Sequence, residues 1–149
     1  VVKVENHGTY GVENNNTIEL LGDNSIGIYT SALDNNGALS GNINVKNFGT
    51  IKLGDSQDIN EASIGIFGTE GVSIENNGII TGGKNVVGIY SNKAQAVNNN
   101  SINLGDGSVG VYISSGTASI NSGSNISVGD NGAVALYASN GGVLVNHAK

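Results

Sequence analysis

The feature that most limits how this chain can fold is a five-residue phrase that keeps returning. It stands first as Ser25-Ile26-Gly27-Ile28-Tyr29. It comes back as Ser63-Ile64-Gly65-Ile66-Phe67, Val86-Val87-Gly88-Ile89-Tyr90, Ser108-Val109-Gly110-Val111-Tyr112 and Ala133-Val134-Ala135-Leu136-Tyr137. The starts are spaced by 38, 23, 22 and 25 residues. Self-similarity at such a period marks a stacked-repeat architecture, in which a single unit cannot bury its apolar face without its neighbours.

Each repeat resolves into three short segments of the form apolar-x-apolar, a pattern that in an extended chain sends two side chains to one face and one to the other. The first segment holds Ile43/Val45, Val72/Ile74, Ala118/Ile120 and Val143/Val145, with a degraded copy around Ala96 and Val97. The second holds Ile18/Leu20, Ile51/Leu53, Ile102/Leu104 and Ile126/Val128, with Ile80 followed by Gly82 as its weak copy. The third is the recurring phrase itself, with Ile26/Ile28, Ile64/Ile66, Val87/Ile89, Val109/Val111 and Val134/Leu136 expected to face inward. Three strands per period, joined by corners, make one coil of a parallel β-helix. The expectation is an all-β solenoid of about five coils with partial ends, roughly 25 Å long at ~4.8 Å per coil.

The corners carry their own signals. Between the first and second segments lie Asn14-Asn15-Asn16, Asn47-Phe48-Gly49, Asn76-Asn77-Gly78 and Asn98-Asn99-Asn100, with Asn121-Ser122-Gly123 one residue out of register. Coils stacked at strand spacing let such asparagines form a ladder of amide hydrogen bonds. Between the second and third segments lie Gly22-Asp23, Gly54-Asp55, Gly105-Asp106 and Gly129-Asp130, replaced by Gly82-Gly83 in the third coil. At the start, Val2 to Thr9 reads as a strand and corner, but a second corner at Asn14 leaves the register of residues 1–16 open. Val143-Leu144-Val145-Asn146-His147 opens a sixth coil. Two connections exceed the short period: Thr30 to Asn42 and Asp55 to Ala62. Loops inserted in a solenoid project from one face and often carry binding.

Composition narrows the function classes. Gly and Asn, 24 of each, supply tight turns, whereas Pro, Cys, Met, Trp and Arg are absent. A net charge of −6 from scattered carboxylates argues against nucleic acid and anionic membranes as partners. No apolar run reaches the ~18–20 residues that a membrane-crossing helix needs. Lack of cysteine suits a protein threaded unfolded through a secretion pore. With no initiating Met, the 149 residues are expected to be one β-helix segment of a longer array.

The candidate binding residues are the aromatic column Tyr29, Phe67, Tyr90, Tyr112 and Tyr137. Strand parity sends these rings outward beside Gly27 and its equivalents. That outer stripe offers a platform for sugar rings or for an apolar partner surface, or a stack that merely covers the glycines. The Gly-Asp corners resemble those of calcium-binding nonapeptide rolls, but one Gly-Asp per coil supplies few oxygens, and turn chemistry accounts for them. Asp55-Ser56-Gln57-Asp58-Ile59-Asn60-Glu61 gathers three carboxylates and is the one local candidate for Ca²⁺, without an EF-hand's glycine or spacing. His7 and His147 follow corner asparagines at opposite ends and read as corner residues, so no metal site and no cofactor is expected. Polysaccharide cleavage on a β-helix needs carboxylate clusters or a basic residue on one outer face. The outward column of the second segment reads Glu19, Lys52, Thr81, Asn103, Ser127, so no enzyme chemistry is expected.

The recurring text Asn-Asn-Gly-x-Ile-x-x-Gly-Asp-x-Ser-Val/Ile-Gly-Ile-Tyr, over about residues 12–149, resembles the passenger repeats of type V autotransporters of Gram-negative bacteria. It is most similar to those of the large fusobacterial-type surface adhesins. The resemblance implies a right-handed β-helix displayed outside the cell and anchored in the outer membrane by a C-terminal barrel of the same parent chain. It also implies attachment, through a glycan or protein receptor, to host cells or other bacteria. The alternatives are a carbohydrate-active β-helix of the tailspike or lyase kind, and a pure spacer.

Overall fold

The computed structural model describes residues 10–148. The expected strand and corner over Val2–Thr9, with His7, lie outside the described residues. Among the described residues, sixteen strands alternate among three parallel sheets. Strands β1 (Tyr10–Asn14), β4 (Ile43–Asn47), β7 (Val72–Asn76), β10 (Gln95–Asn98), β13 (Thr117–Ile120) and β16 (Val143–Asn146) form sheet A. Sheet B holds β2 (Thr17–Leu20), β5 (Thr50–Leu53), β8 (Ile79–Gly82), β11 (Ser101–Leu104) and β14 (Asn125–Ser127). Sheet C holds β3 (Ile26–Thr30), β6 (Ile64–Gly68), β9 (Val87–Asn92), β12 (Val109–Ser114) and β15 (Val134–Ser139). Every third strand pairs with its counterpart one coil away, so the molecule is a β-solenoid of five three-stranded coils followed by β16.

Aliphatic columns running along the axis hold the coils together. Ile18, Ile51, Ile80, Ile102 and Ile126 are in register on sheet B, and Ile28, Ile66, Ile89, Val111 and Leu136 on sheet C. Sheet A contributes Val12, Val45, Ile74, Ala96, Ala118 and Leu144. Ile51, Ile66, Ile80, Ile89 and Ile102 are fully buried, each worth about 1.5–3 kcal/mol of apolar burial. The segment around Ala96, which reads as degraded, is a regular strand whose inward Ala96, like Ala94 just before it, is small but buried.

The asparagine ladder forms as expected. Asn14 Nδ2 donates to Asn47 Oδ1 (2.8 Å), Asn47 to Asn76 (2.7 Å) and Asn76 to Asn98 (2.7 Å), and Asn98 closes the series on the Asn100 carbonyl. The chain thus satisfies a row of buried amides that would be costly unpaired. The same pairing settles the register at Asn14, because β1 aligns residue for residue with β4. Ile120 takes the inner position in the fifth coil, and Asn121 joins a second, outer ladder through Asn99 to Asn77.

Three parts of the sequence reading are corrected. In sheet C the second aliphatic of each pair packs in or against the core, and the first, in four coils of five, does not. Ile26, at 40 % exposure, and its equivalents Ile64, Val109 and Val134 stand outside the core, whereas Val87 in the third coil is itself buried. Nor do the glycines form an outer stripe. A Cβ built on Gly27, Gly65, Gly88 or Gly110 would lie 2.5–2.7 Å from the next coil's carbonyl oxygen and 2.6–3.3 Å from the Cγ2 of a core isoleucine. The reason is a break in alternation: the ladder pairs Ile26 with Ile64 and Ile28 with Ile66 but skips the glycines between them. Simple parity fails across such a local kink, which re-aims the side chains on either side of it.

The second correction concerns β16. Leu144, not Val143 and Val145, aligns with Ala118 and packs on the core, leaving the two valines exposed. The third concerns the Gly-Asp corner of the third coil. Gly82 occupies the leucine position in register with Leu53 and Leu104, so the corner pair there is Gly83-Lys84. Val86, standing where coils two and four have Ser63 and Ser108, fills the space: its Cγ2 lies 2.7 Å from where a Gly82 Cβ would be. In the first coil the exposed Leu21 precedes Gly22-Asp23 at the place of the corner glycine.

Candidate functional site

The outer face of sheet C collects what the rest of the surface keeps apart. Outer positions on sheets A and B are mostly polar, as in the column Glu19, Lys52, Thr81, Asn103 and Ser127, which lines up as the sequence implies. On sheet C, by contrast, two apolar columns run through all five coils. One is Ile26, Ile64, Val87, Val109 and Val134, with Ile26 exposed, Ile64, Val109 and Val134 half-buried and Val87 buried; the other is Tyr29, Phe67, Tyr90, Tyr112 and Tyr137. Every ring named from the sequence is in the column. The aliphatic one was missed, because regular alternation would have sent it into the core.

Ring geometry decides what the aromatic column can offer. Phe67 stacks on Tyr90 with centroids 4.8 Å apart and planes 10° from parallel, and Tyr90 on Tyr112 at 4.6 Å and 7°. Coil spacing imposes these separations, since equivalent side chains repeat at the strand interval. Both faces of Tyr90 are therefore covered, and the central rings are half-buried. The terminal rings differ. Tyr29 meets Phe67 at 63° and Tyr137 meets Tyr112 at 72°, and they remain 47 % and 46 % exposed. Sugar rings stack on open aromatic faces, so the flat platform read from the sequence is confined to the two ends of the column. The middle presents edges and the neighbouring aliphatics to a protein-like apolar surface.

A polar seam borders the rings. Asn92, Ser114 and Ser139 are in register. Ser139 Oγ donates to the Tyr112 hydroxyl at 3.4 Å, Asn140 Nδ2 donates to Ser114 Oγ at 3.0 Å, and Thr69 Oγ1 donates to Ser31 Oγ at 3.0 Å. Burial in the stack raises the Tyr90 pKa above the ordinary tyrosine value, the nearby Tyr112 adds to the rise, and a hydrogen bond with Ser114 opposes it. This phenol is neutral at physiological pH and acts as a hydrogen-bonding group.

The longer insertion leaves the solenoid at the end of β3. Ala32 is buried, and the chain then folds back as a small hairpin bridged at Leu33 and Leu39. Asp34 shapes its tip by accepting from the backbone N–H groups of Asn36 (2.8 Å) and Ala38 (2.9 Å), an Asx turn. The second insertion contains one turn of 3₁₀ helix, Ile59–Glu61, with Asp58 Oδ1 accepting from Asn60 N. Asp55 is spent elsewhere, accepting from Lys84 N one coil on. Among the described residues no three His, Cys, Asp or Glu side chains converge as a metal cluster, and the run from Asp55 to Glu61 does not do so.

The Gly-Asp corners work as turns between coils. Asp106 Oδ1 accepts from Asp130 N at 2.9 Å and Oδ2 from Asn131 Nδ2 at 2.9 Å. These two bonds, the backbone one foremost, hold the Asp106 carboxyl below its usual pKa. His147 is an exposed corner residue whose backbone N–H donates to Ile120 O. No helix among the described residues is long and apolar enough to cross a membrane. No protein-family model matches the chain, and no curated protein or solved structure matches it either.

Proposed function

We propose that this chain is part of a surface-displayed passenger of the autotransporter kind: a rigid stalk segment that also adheres and carries no enzyme chemistry. It stands outside the cell, tethered to the outer membrane by a C-terminal barrel of the same parent chain. The observation that carries the adhesive part is the apolar face of sheet C. Five aromatic side chains and four of the five aliphatic ones in the neighbouring column keep exposed surface there, bordered by hydroxyls and amides. Apolar surface of this extent on a solenoid marks a contact site for a partner. The receptor is a protein or glycan on host cells or other bacteria. A protein partner covers the ring edges and the aliphatic column, and a glycan stacks on Tyr29 or Tyr137.

The test is binding of the purified chain to epithelial cells and to partner bacteria, beside two variants. One replaces Tyr29 and Tyr137 by Ser; the other shortens the hairpin by removing residues 34–38. Saturable binding lost with the tyrosines places the adhesive site on sheet C, and loss with the hairpin alone moves it to the insertion. A folded chain that binds neither surface is a spacer, and the adhesive reading fails. Reducing ends released from a polysaccharide panel would replace it with a carbohydrate-active one.

A further inference from the structure

We propose that Tyr90 and Tyr112 are a site of oxidative modification, at which a peroxidase-type oxidant acting with hydrogen peroxide joins the two phenols into a dityrosine that staples the third coil to the fourth. Such coupling needs two phenoxyl radicals whose ortho carbons meet before either radical is quenched. These rings are register partners, 4.6 Å apart and within 7° of parallel, so equivalent ortho carbons of the two rings are separated by about the same distance as the ring centres. Both are half-buried rather than enclosed, so their edges remain open to an external oxidant.

The column isolates this pair. Phe67 occupies the other face of Tyr90, has no hydroxyl to oxidise and separates Tyr90 from Tyr29. Tyr137 meets Tyr112 at 72°, edge against face, and must rotate before its ortho carbon can bond. Each phenol loses one electron to the oxidant and its hydroxyl proton to solvent. The two radicals form one carbon–carbon bond between ortho positions. The hydrogen on each of those carbons then moves as a proton to its own oxygen, restoring two phenols. The protein loses two hydrogens in all, and one peroxide is reduced to two waters. The bond closes a loop between residues 22 positions apart, which restricts the unfolded chain and opposes separation of the two coils. The inference does not depend on where the protein is displayed.

The experiment treats the dilute, purified chain with peroxidase and hydrogen peroxide, then cleaves after lysine. Tyr90 falls in the peptide 85–93 and Tyr112 with Tyr137 in 94–149, so the staple is a linked pair of peptides lighter by two hydrogens. Fragmentation assigns the bond to Tyr112. The expected result is that this product dominates in monomeric protein and is lost in Y90F and Y112F. It persists in Y29F and Y137F, and in F67Y it is joined by a link between peptides 53–84 and 85–93. Phe67 already shows that phenylalanine fits the column, and circular dichroism checks that each variant is folded. The same reaction in urea should scatter the links. Links only between molecules, equal use of Tyr137, the same selectivity in urea, or no link in the folded protein would each overturn the proposal.

Discussion

Replacing Gly88 with Ala tests the corrected geometry of sheet C most directly, because two readings of the same strand predict opposite signs. If Gly88 faced solvent, as regular alternation implies, the added methyl would cost nothing. Its φ is not positive, so the alanine would stabilise the fold by about 0.4–1 kcal/mol by narrowing the unfolded ensemble. In the structure the Cβ instead lands 2.6 Å from the Gly110 carbonyl oxygen and 2.9 Å from Ile102 Cγ2. Neither neighbour yields easily. The oxygen is backbone in a paired strand, and the isoleucine is fully buried between equivalents above and below. Overpacking of this kind costs about 1–3 kcal/mol. Set against the entropic gain, the net expectation is a loss of about 1–2 kcal/mol.

With a urea dependence of about 1–3 kcal/mol per M for a small protein, the unfolding midpoint should fall by roughly 0.5–1 M. Ala135 is the internal control. It occupies the same row in the fifth coil, where no further described strand of sheet C lies beyond it, and Ala135→Gly should lower stability by no more than about 1 kcal/mol. An unchanged or raised midpoint for Gly88→Ala would refute the kinked geometry and return the glycines to the outer face.

The other expectations follow from neighbouring features. Asn76→Ala removes one donor and one acceptor from the ladder and strands Asn47 Nδ2 and Asn98 Oδ1. At about 1–3 kcal/mol for each of the two buried unsatisfied groups, equilibrium unfolding should show a loss of roughly 2–6 kcal/mol, and a loss below ~1 kcal/mol would mean that water repairs the gap. Ile89→Asp buries a charge in the fully enclosed column between Ile66 and Val111. Since coils are stable only against neighbours, hydrogen exchange should accelerate in β6 and β12 as well as β9, and an effect confined to β9 counts against stacking as the source of stability. The raised Tyr90 pKa means that the folded state holds this proton more tightly than the unfolded state. Its contribution is therefore complete below the ordinary tyrosine value and is lost as pH rises from there through the raised folded value. Y90F should flatten the alkaline part of a stability–pH curve, and an unaltered slope would show that the phenol is not the group responsible. The depressed Asp106 carboxyl works at the other end: its contribution is present above the ordinary Asp pKa and lost as pH falls through the folded value. D106N should blunt the acid limb, as urea midpoints taken across low pH would show.

The solenoid was legible because its period is written several times over in residues with few alternative uses. Repeated Ile-x-Leu and Ile-Gly-Ile-Tyr phrases can bury their aliphatics only against copies of themselves, and corner asparagines at the same interval can satisfy their amides only in a ladder. The aromatic column was legible for the same reason: rings at equivalent positions of stacked coils must lie one strand spacing apart. Alternation could not tell which way the residues around the glycine point, since it assumes an unkinked strand. Contact of Gly27, Gly65, Gly88 and Gly110 with the next coil's backbone breaks that assumption, and both neighbours of the contact are remote in sequence. For the same reason only the tertiary structure could move Ile26, Ile64, Val109 and Val134 out of the core while leaving Val87 buried, put Leu144 in place of its flanking valines, and let Val86 fill the space left by Gly82. A period is a property of the chain and can be counted along it, whereas the direction of a side chain is settled by whatever backbone the next coil brings against it.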